Sequence, residues 1–314
     1  MNRVCYSIWM NKNHIHQSLP ANPKTEKLAI VMFNQLGSNT HGDHGRDGNR
    51  LADALNVPVF TVNRPGTDTF DYFSGAGKRI QRNVLAEHEA VLKATEVELG
   101  RLGIQSVVLT GRSAGGMSAL LGAQTEVLPV TGVYAAEPVG WVDASKAEVA
   151  QQNRAYLQHQ KEVIQSDDDK LVRPEPSDTE GLDKIRRLIS IPFLAAKDMA
   201  RYKEVFGSTV SRDALEFIIK RGGIDVSIEF AEHSMVIDDK ILEDIIVYFE
   251  RVVAPTGLSL GHVATPSTLH ASLKSGAELN IKKIPNTVHA SFDNRGFFAQ
   301  RVEPTVARAL LSAN

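Results

Sequence analysis

SVVLTGRSAGG, residues 106–116, is the stretch whose reading decides the fold. The apolar run Val107-Val108-Leu109-Thr110 passes without a linker into Gly111-Arg112-Ser113-Ala114-Gly115, and residues 114 to 124 then read as a helix. A continuous apolar run closed by glycine reads as a strand buried on both faces of a parallel sheet. The glycines permit a sharp strand-to-helix turn. That turn lifts the Ser113 hydroxyl above the sheet, while the following helix aims its free N–H groups and positive dipole end at any charge that develops there. A lone G-x-S-x-G is a common pentapeptide. A buried strand before it and a helix after it make the pattern informative.

The same alternation extends on both sides. LAIVMF (28–33) is a second fully apolar run, ending in the turn-rich NQLGSNTHGDHGRDGN and the helix-like RLADALN. PVFTVN (58–63) is a third, closed by Arg64-Pro65-Gly66, and residues 78 to 102 carry helical spacing at Ile80, Val84, Leu85, Val91, Leu92, Val97 and Leu99. VTGVYAA (130–136) follows the central helix. Strands alternating with helices imply a parallel sheet with right-handed crossovers. Upstream, residues 3–10 and about 14–18 read as two short edge strands.

After Trp141 the alternation stops. Residues 143 to about 221 are mostly helical and charged, interrupted by the acidic SDDDKLVRPEPSDTEG (166–181), which reads as a mobile loop. Strands resume at DVSIEFA (225–231), followed by a helix over about 239–252, a long loop through Pro255 and Pro266, a strand ELNIKKI (278–284) and a last helix from about Phe297. The expected organisation is one sheet domain in two parts, 1–141 and 222–314, with an insertion at 142–221.

Composition bounds the partners. The 314 residues are 42% hydrophobic and 23% charged, a globular balance that excludes low-complexity disorder and a coiled coil. A net charge of −2 argues against nucleic acid, whose phosphates demand a basic surface. Cys5 is the single cysteine, so neither an intramolecular disulfide nor a cysteine-rich zinc site is expected. No run approaches about 18 apolar residues, and the N-terminus lacks the order of a signal peptide, so a cytoplasmic protein without a membrane span is expected. His41, Asp43, His44 and Asp47 are metal-ligand types, but in a glycine-rich stretch they read better as a polar rim loop than as a metal site.

With these elements in order, the sequence resembles the α/β-hydrolase superfamily over nearly its whole length. The resemblance rests on the two N-terminal strands, LAIVMF as third strand, GRSAG as nucleophile elbow, an insertion after VYAAEPVGW and a histidine after the last strand. It implies an eight-stranded, mostly parallel sheet with helices on both faces, a helical cap at 142–221 and a Ser-His-acid triad. Ser113 takes the nucleophile's place. The general base must be a histidine, since neutral imidazole accepts the serine proton near pH 7. His289 in IPNTVHASFDN, five residues beyond the expected last strand, stands where the family places it, whereas His262 and His270 fall in the preceding loop.

The acid departs from the common pattern. After strand seven the chain reads Phe230-Ala231-Glu232-His233-Ser234, with serine where many relatives carry aspartate. A second family arrangement places the acid after strand six, and Glu137 stands there; Glu232 and Asp238 are alternatives. The oxyanion donors map onto the N–H groups of Ala114 and Leu36, although Asn34-Gln35-Leu36-Gly37 replaces the usual histidine-glycine pattern. In the insertion, Trp141, Phe193, Leu194 and Phe206 are candidates for lining a pocket or for packing the cap on the sheet. The implied activity is hydrolysis of a small-molecule carboxylic ester or thioester through an acyl-enzyme, with no cofactor. The same triad also serves acyl transfer or cleavage of a lactone, amide or C–C bond, and a catalytically silent binding protein of this fold is the remaining alternative.

Overall fold

The structure, a computed structural model, describes residues 6–10, 15–34, 43–63, 84–145, 148, 151, 158–159, 162–166, 169–174, 207–234, 236–256 and 263–313. Ten strands form one sheet: β1 (Tyr6–Met10), β2 (Ile15–Leu19), β3 (Leu28–Phe33), β4 (Val59–Val62), β5 (Ser106–Arg112), β6 (Val130–Ala136), β7 (Asp225–His233), β8 (Val263–Thr265), β9 (Thr268–Ser272) and β10 (Glu278–Val288). Their spatial order is β1-β2-β4-β3-β5-β6-β7-β10-β9-β8. The stretch from β4 to β10 is parallel throughout, and antiparallel pairs flank it on both sides.

Burial on both faces explains the unbroken apolar runs. In β3, Ala29, Val31 and Phe33 enter one core while Leu28, Ile30 and Met32 enter the other. The first core lies beneath α2 (Val84–Arg101), α3 (Ala114–Gln124), α4 (Val210–Arg221) and α5 (Asp239–Val253), and the second beneath α1 (Asp43–Leu55) and α6 (Arg295–Ala313). The sheet is thus sandwiched between helical layers. Across it, Glu229 of β7 accepts from Tyr134 Oη at 2.9 Å and Arg301 Nε at 2.7 Å, tying α6 to two central strands. Desolvation and the adjacent Glu229 carboxylate push the Tyr134 phenol well above its ordinary value.

Several expectations need correcting. The sheet has ten strands, not eight, because the stretch read as a long loop folds back as the antiparallel hairpin β8–β9 on the edge of β10. His270 therefore lies in β9, where it bonds Asn280 of β10 at 2.6 Å; His262 lies outside the described residues. Only β1 of the N-terminal pair is an edge strand, since β2 bonds β1 and β4. Residues 43–47, expected in a loop, already belong to α1. β10 runs to Val288, so His289 follows it directly rather than five residues on.

Much of 142–221 lies outside the described residues, including Phe193, Leu194 and Phe206. Part of the presumed mobile loop is held in place: Leu171 is buried, Val172 N–H donates to Asn286 O at 2.9 Å, and Ser291 Oγ donates to Val172 O. Apolar Leu171 and Val172 give this acidic stretch something to bury. Trp141 packs edge-on against Phe230 and Phe249 and is core. Among the described residues no helix is long and apolar enough to cross a membrane.

The tightest backbone packing lies at the turn from β5 into α3. A Cβ on Gly115 meets Phe33 O at 2.5 Å and Asn34 O at 2.8 Å, backbone atoms of a central strand that have no room to retreat. Gly100, near the end of α2, meets nothing within 4 Å. Gly115→Ala is expected to destabilise the fold by about 1–3 kcal/mol or more through overpacking. Gly100→Ala should be neutral or stabilising by up to about 1 kcal/mol, because alanine restricts the unfolded chain. Urea midpoints for the two variants check the contrast; equal midpoints would refute it.

Candidate active site

Parallel order places the carboxyl ends of β5, β6, β7 and β10 side by side, so the residues leaving those four strands converge on one edge of the sheet. Ser113 leaves β5, Glu137 leaves β6, Ser234 leaves β7 and His289 leaves β10. Open parallel sheets bind ligands at this edge, where strand dipoles, helix starts and loops meet.

Ser113 sits at φ 55°, ψ −123°, a conformation that L-residues seldom adopt and that costs on the order of 1–3 kcal/mol. Surrounding bonds hold it there. Its N–H donates to Ala136 O at 2.8 Å and its carbonyl accepts from Met117 N–H at 3.2 Å. Ala114 opens α3, so its N–H has no carbonyl within the helix to meet. Leu36, the expected second donor, lies outside the described residues.

Glu137 is fully buried and also has positive φ, 51°. Its N–H donates to Glu229 O at 2.8 Å, continuing the β6–β7 ladder past the end of the strand. The side chain meets three donors. Oε1 accepts from Ala231 N–H at 2.5 Å, and Oε2 accepts from Ser234 Oγ at 2.8 Å and from His289 Nδ1 at 2.8 Å. A carboxylate is acceptor-only, so Nδ1 carries the proton and neutral His289 keeps Nε2 as its acceptor nitrogen. Burial pushes the His289 pKa down, but the hydrogen bond and charge of Glu137, with the charge of Asp293, outweigh burial and the opposing Arg112, and the net shift is upward.

Glu232 and Asp238, the other candidate acids, each accept a backbone hydrogen bond. Glu232 Oε2 accepts from Asn286 N–H at 2.6 Å, and Asp238 caps α5 by accepting from Ile241 N–H at 2.8 Å. Asp47, grouped in sequence with His41, Asp43 and His44, pairs with Arg112 at 2.8 Å and Arg295 at 2.7 Å. His41 and the side chains of Asp43 and His44 lie outside the described residues. Among the described residues no three His, Cys, Asp or Glu side chains are grouped to hold a metal ion.

One feature and one role escaped the sequence reading, which noted Ser234 only as standing where many relatives carry aspartate. Arg112, the variable residue of the G-x-S-x-G, is almost fully buried. Besides Asp47 it pairs with Asp293 at 3.0 Å, donates to Phe292 O at 2.6 Å and lies over the Phe298 ring. It thereby ties the elbow to the 3₁₀ turn His289–Asp293 that carries the histidine. The other is Ser234, which touches Glu137 directly. Beside it opens a cavity of about 390 Å³ lined by Phe230, Ile237, Leu242, His159, His233 and Lys283, where His159 Nε2 lies 3.2 Å from His233 Nδ1. A lone arginine carries no spacing signal that marks such a role, and the position of Ser234 does not reveal its contact with Glu137.

Compared by sequence, the chain matches no family model and no curated protein. Its fold is nevertheless shared with solved structures. It is similar to naproxen esterase (carboxylesterase NP) from Bacillus subtilis, with 12% identity, a TM-score of 0.53, and 98% of this chain and 92% of that one covered. It is similar to carboxylesterase CesB (YbfK) from Bacillus subtilis, with 13% identity, a TM-score of 0.51 and coverage of 98% and 92%. A putative lipase (lip1) from Acinetobacter baumannii AYE matches with 15% identity, a TM-score of 0.50 and coverage of 99% and 92%. Identities this low speak to architecture alone, and with the elbow, the sheet order and the converging strand ends they agree on one: the chain has the α/β-hydrolase fold.

Proposed function

We propose that the chain is a serine hydrolase acting on a small-molecule carboxylic ester or thioester. The observation that carries this reading is the 2.8 Å hydrogen bond from His289 Nδ1 to buried Glu137, made beside a serine held at positive φ at the end of β5. Structural histidines rarely need a buried carboxylate on one ring nitrogen. A general base does, because the carboxylate sets the tautomer and stabilises the imidazolium. That the similar solved structures are named esterases and a lipase supports the same chemistry.

In this mechanism Ser113 Oγ attacks the acyl carbonyl as His289 Nε2 takes its proton, while Glu137 holds the ring through Nδ1–H. The N–H groups of Ala114 and Leu36 stabilise the tetrahedral oxyanion. His289 returns the proton to the departing alcohol or thiol, leaving an acyl-Ser113 ester. Water, deprotonated by the same ring, then releases the carboxylic acid and regenerates Ser113. No cofactor enters this cycle. The insertion at 142–221 acts as a cap over the site and sets which acyl groups enter.

Ser113→Ala is expected to lower esterase activity by several orders of magnitude and to abolish labelling by a fluorophosphonate probe. Retention of most p-nitrophenyl ester hydrolysis, or a label on another serine, would overturn the assignment. Glu137→Gln should lower kcat by roughly 10²- to 10⁴-fold and leave slow labelling of Ser113 detectable.

The pH dependence follows from the raised His289 value. kcat/KM should rise with pH along a limb whose midpoint lies above 6.5, since only the neutral ring is a base. The same proton links to stability with the opposite sense: a folded value above the unfolded one favours the fold below about 6.5 and loses that contribution as pH rises through the folded value. Rate profiles and urea midpoints between pH 5 and 9 check both. A rate midpoint at or below 6.5 would contradict the Glu137 contact.

A further inference from the structure

We propose that Ser234 is a positioning residue that orients the Glu137 carboxylate toward His289; this rests on the hydrolase reading above and deepens it. The inference starts from the hydroxyl's hydrogen bonds. Ser234 Oγ lies 3.0 Å from Val236 N and 3.2 Å from Ile237 N, and both N–H groups donate to it. A hydroxyl has two lone pairs and one proton. With both lone pairs engaged by backbone donors of its own turn, the proton is left to point at Glu137 Oε2, 2.8 Å away. The turn after β7 thus presents a hydroxyl donor of fixed direction, buried to 8% exposure, to the one carboxylate oxygen that meets the histidine.

Glu137 needs such a guide. Its carboxylate turns about a soft terminal torsion with a broad energy well. One tether, Ala231 N–H on Oε1, limits the swing of that oxygen without setting the plane of the group. A second donor on Oε2, arriving from the next turn of chain, fixes the plane and leaves the remaining acceptor site of Oε2 for His289 Nδ1–H. Both Ala231 and Ser234 belong to β7 or the residue just beyond it, so one strand end aligns the acid that the neighbouring strand supplies. Cysteine is a poor donor of similar size, alanine donates nothing, and threonine keeps the hydroxyl.

The charged groups facing His289 are Glu137, Asp293 and Arg112, none of which these substitutions alter. Ser234→Ala and Ser234→Cys are expected to lower kcat about tenfold with KM changed less than twofold. They should also move the acidic limb of the rate profile down toward 6.5, as the imidazole loses a well-aimed carboxylate. Ser234→Thr should stay within about threefold of the parent with its midpoint unmoved. The His289 ring titration, followed by NMR and assigned against His289→Ala, should shift downward in the alanine and cysteine variants and reads the contact even without turnover.

If either folded variant keeps the parent kcat and the parent His289 titration, or if threonine loses as much as alanine, Ser234 only packs the turn and the inference is overturned. A loss confined to KM overturns it as well. A parent chain that neither hydrolyses p-nitrophenyl esters nor labels at Ser113 defeats the hydrolase reading instead, and the ring titration then still decides whether Ser234 aligns Glu137. Where Ser234→Ala fails to fold, the cysteine and threonine pair carries the same comparison.

Discussion

Everything at the site depends on how closely the start of α3 can approach the strands beneath it. A Cβ on Gly111 would meet Gly115 C and O at 2.4 Å, and one on Gly116 would meet Ala136 O at 3.1 Å. Backbone therefore packs on backbone across β3, β5 and β6. This contact sets the height of Ser113 above the sheet and brings Ala136 O within 2.8 Å of its N–H. Because Glu137 is the next residue, the register that seats Ser113 also seats Glu137. The site is in this sense a property of three strand ends and one helix start, before any side chain is chosen.

Side chains then tie the more distant histidine to that frame. His289 lies 152 residues from Glu137 and is carried by a five-residue 3₁₀ turn. Arg112 grips that turn through Asp293 and Phe292 O, and Asp47 links Arg112 to Arg295 at the start of α6. On the other flank, Ser291 bonds Val172 of the insertion. Ion pairs of low exposure contribute little net stability over apolar packing, but removing one partner costs several kcal/mol. Such a network favours one geometry over many. It suits His289, whose ring meets the buried Glu137 carboxylate and, in the proposed mechanism, Ser113 as well.

What the sequence made legible follows the same division. β3, β5 and β6 were readable because burial on both faces leaves few polar positions, and the elbow because its glycines sit between a strand and a helix. β8 and β9 were not: they have three and five residues, flank Pro266, and draw their order from pairing with each other and, through β9, with β10 rather than from local propensity. The first turn of α1 was hidden by Gly45 and Gly48, poor helix formers whose cost packing against β2 offsets. Glu137 was legible only by position. The Arg112 network was not, since its partners lie 65 and 180 residues away along the chain and carry no periodicity.

Strain closes the account of the site. Two of its residues, Ser113 and Glu137, hold positive φ without being glycine, on adjacent strands and at the same level of the sheet. Left-handed conformations cost each of them free energy, and a glycine at either place would remove the cost. In the proposed mechanism neither can be glycine, because each supplies the one functional atom group its strand end contributes. The opposing terms are visible: the Ser113 N–H bond to Ala136 O, the Glu137 N–H bond to Glu229 O, and three donors on the Glu137 carboxylate. In each case the backbone turns sharply off the strand while its N–H still joins the neighbouring strand. The Glu137 side chain is thereby aimed at the end of β7, where it meets Ala231 N–H and Ser234 Oγ, and the sheet's own ladder supplies the rigidity that holds Ser113 and Glu137 at a fixed spacing.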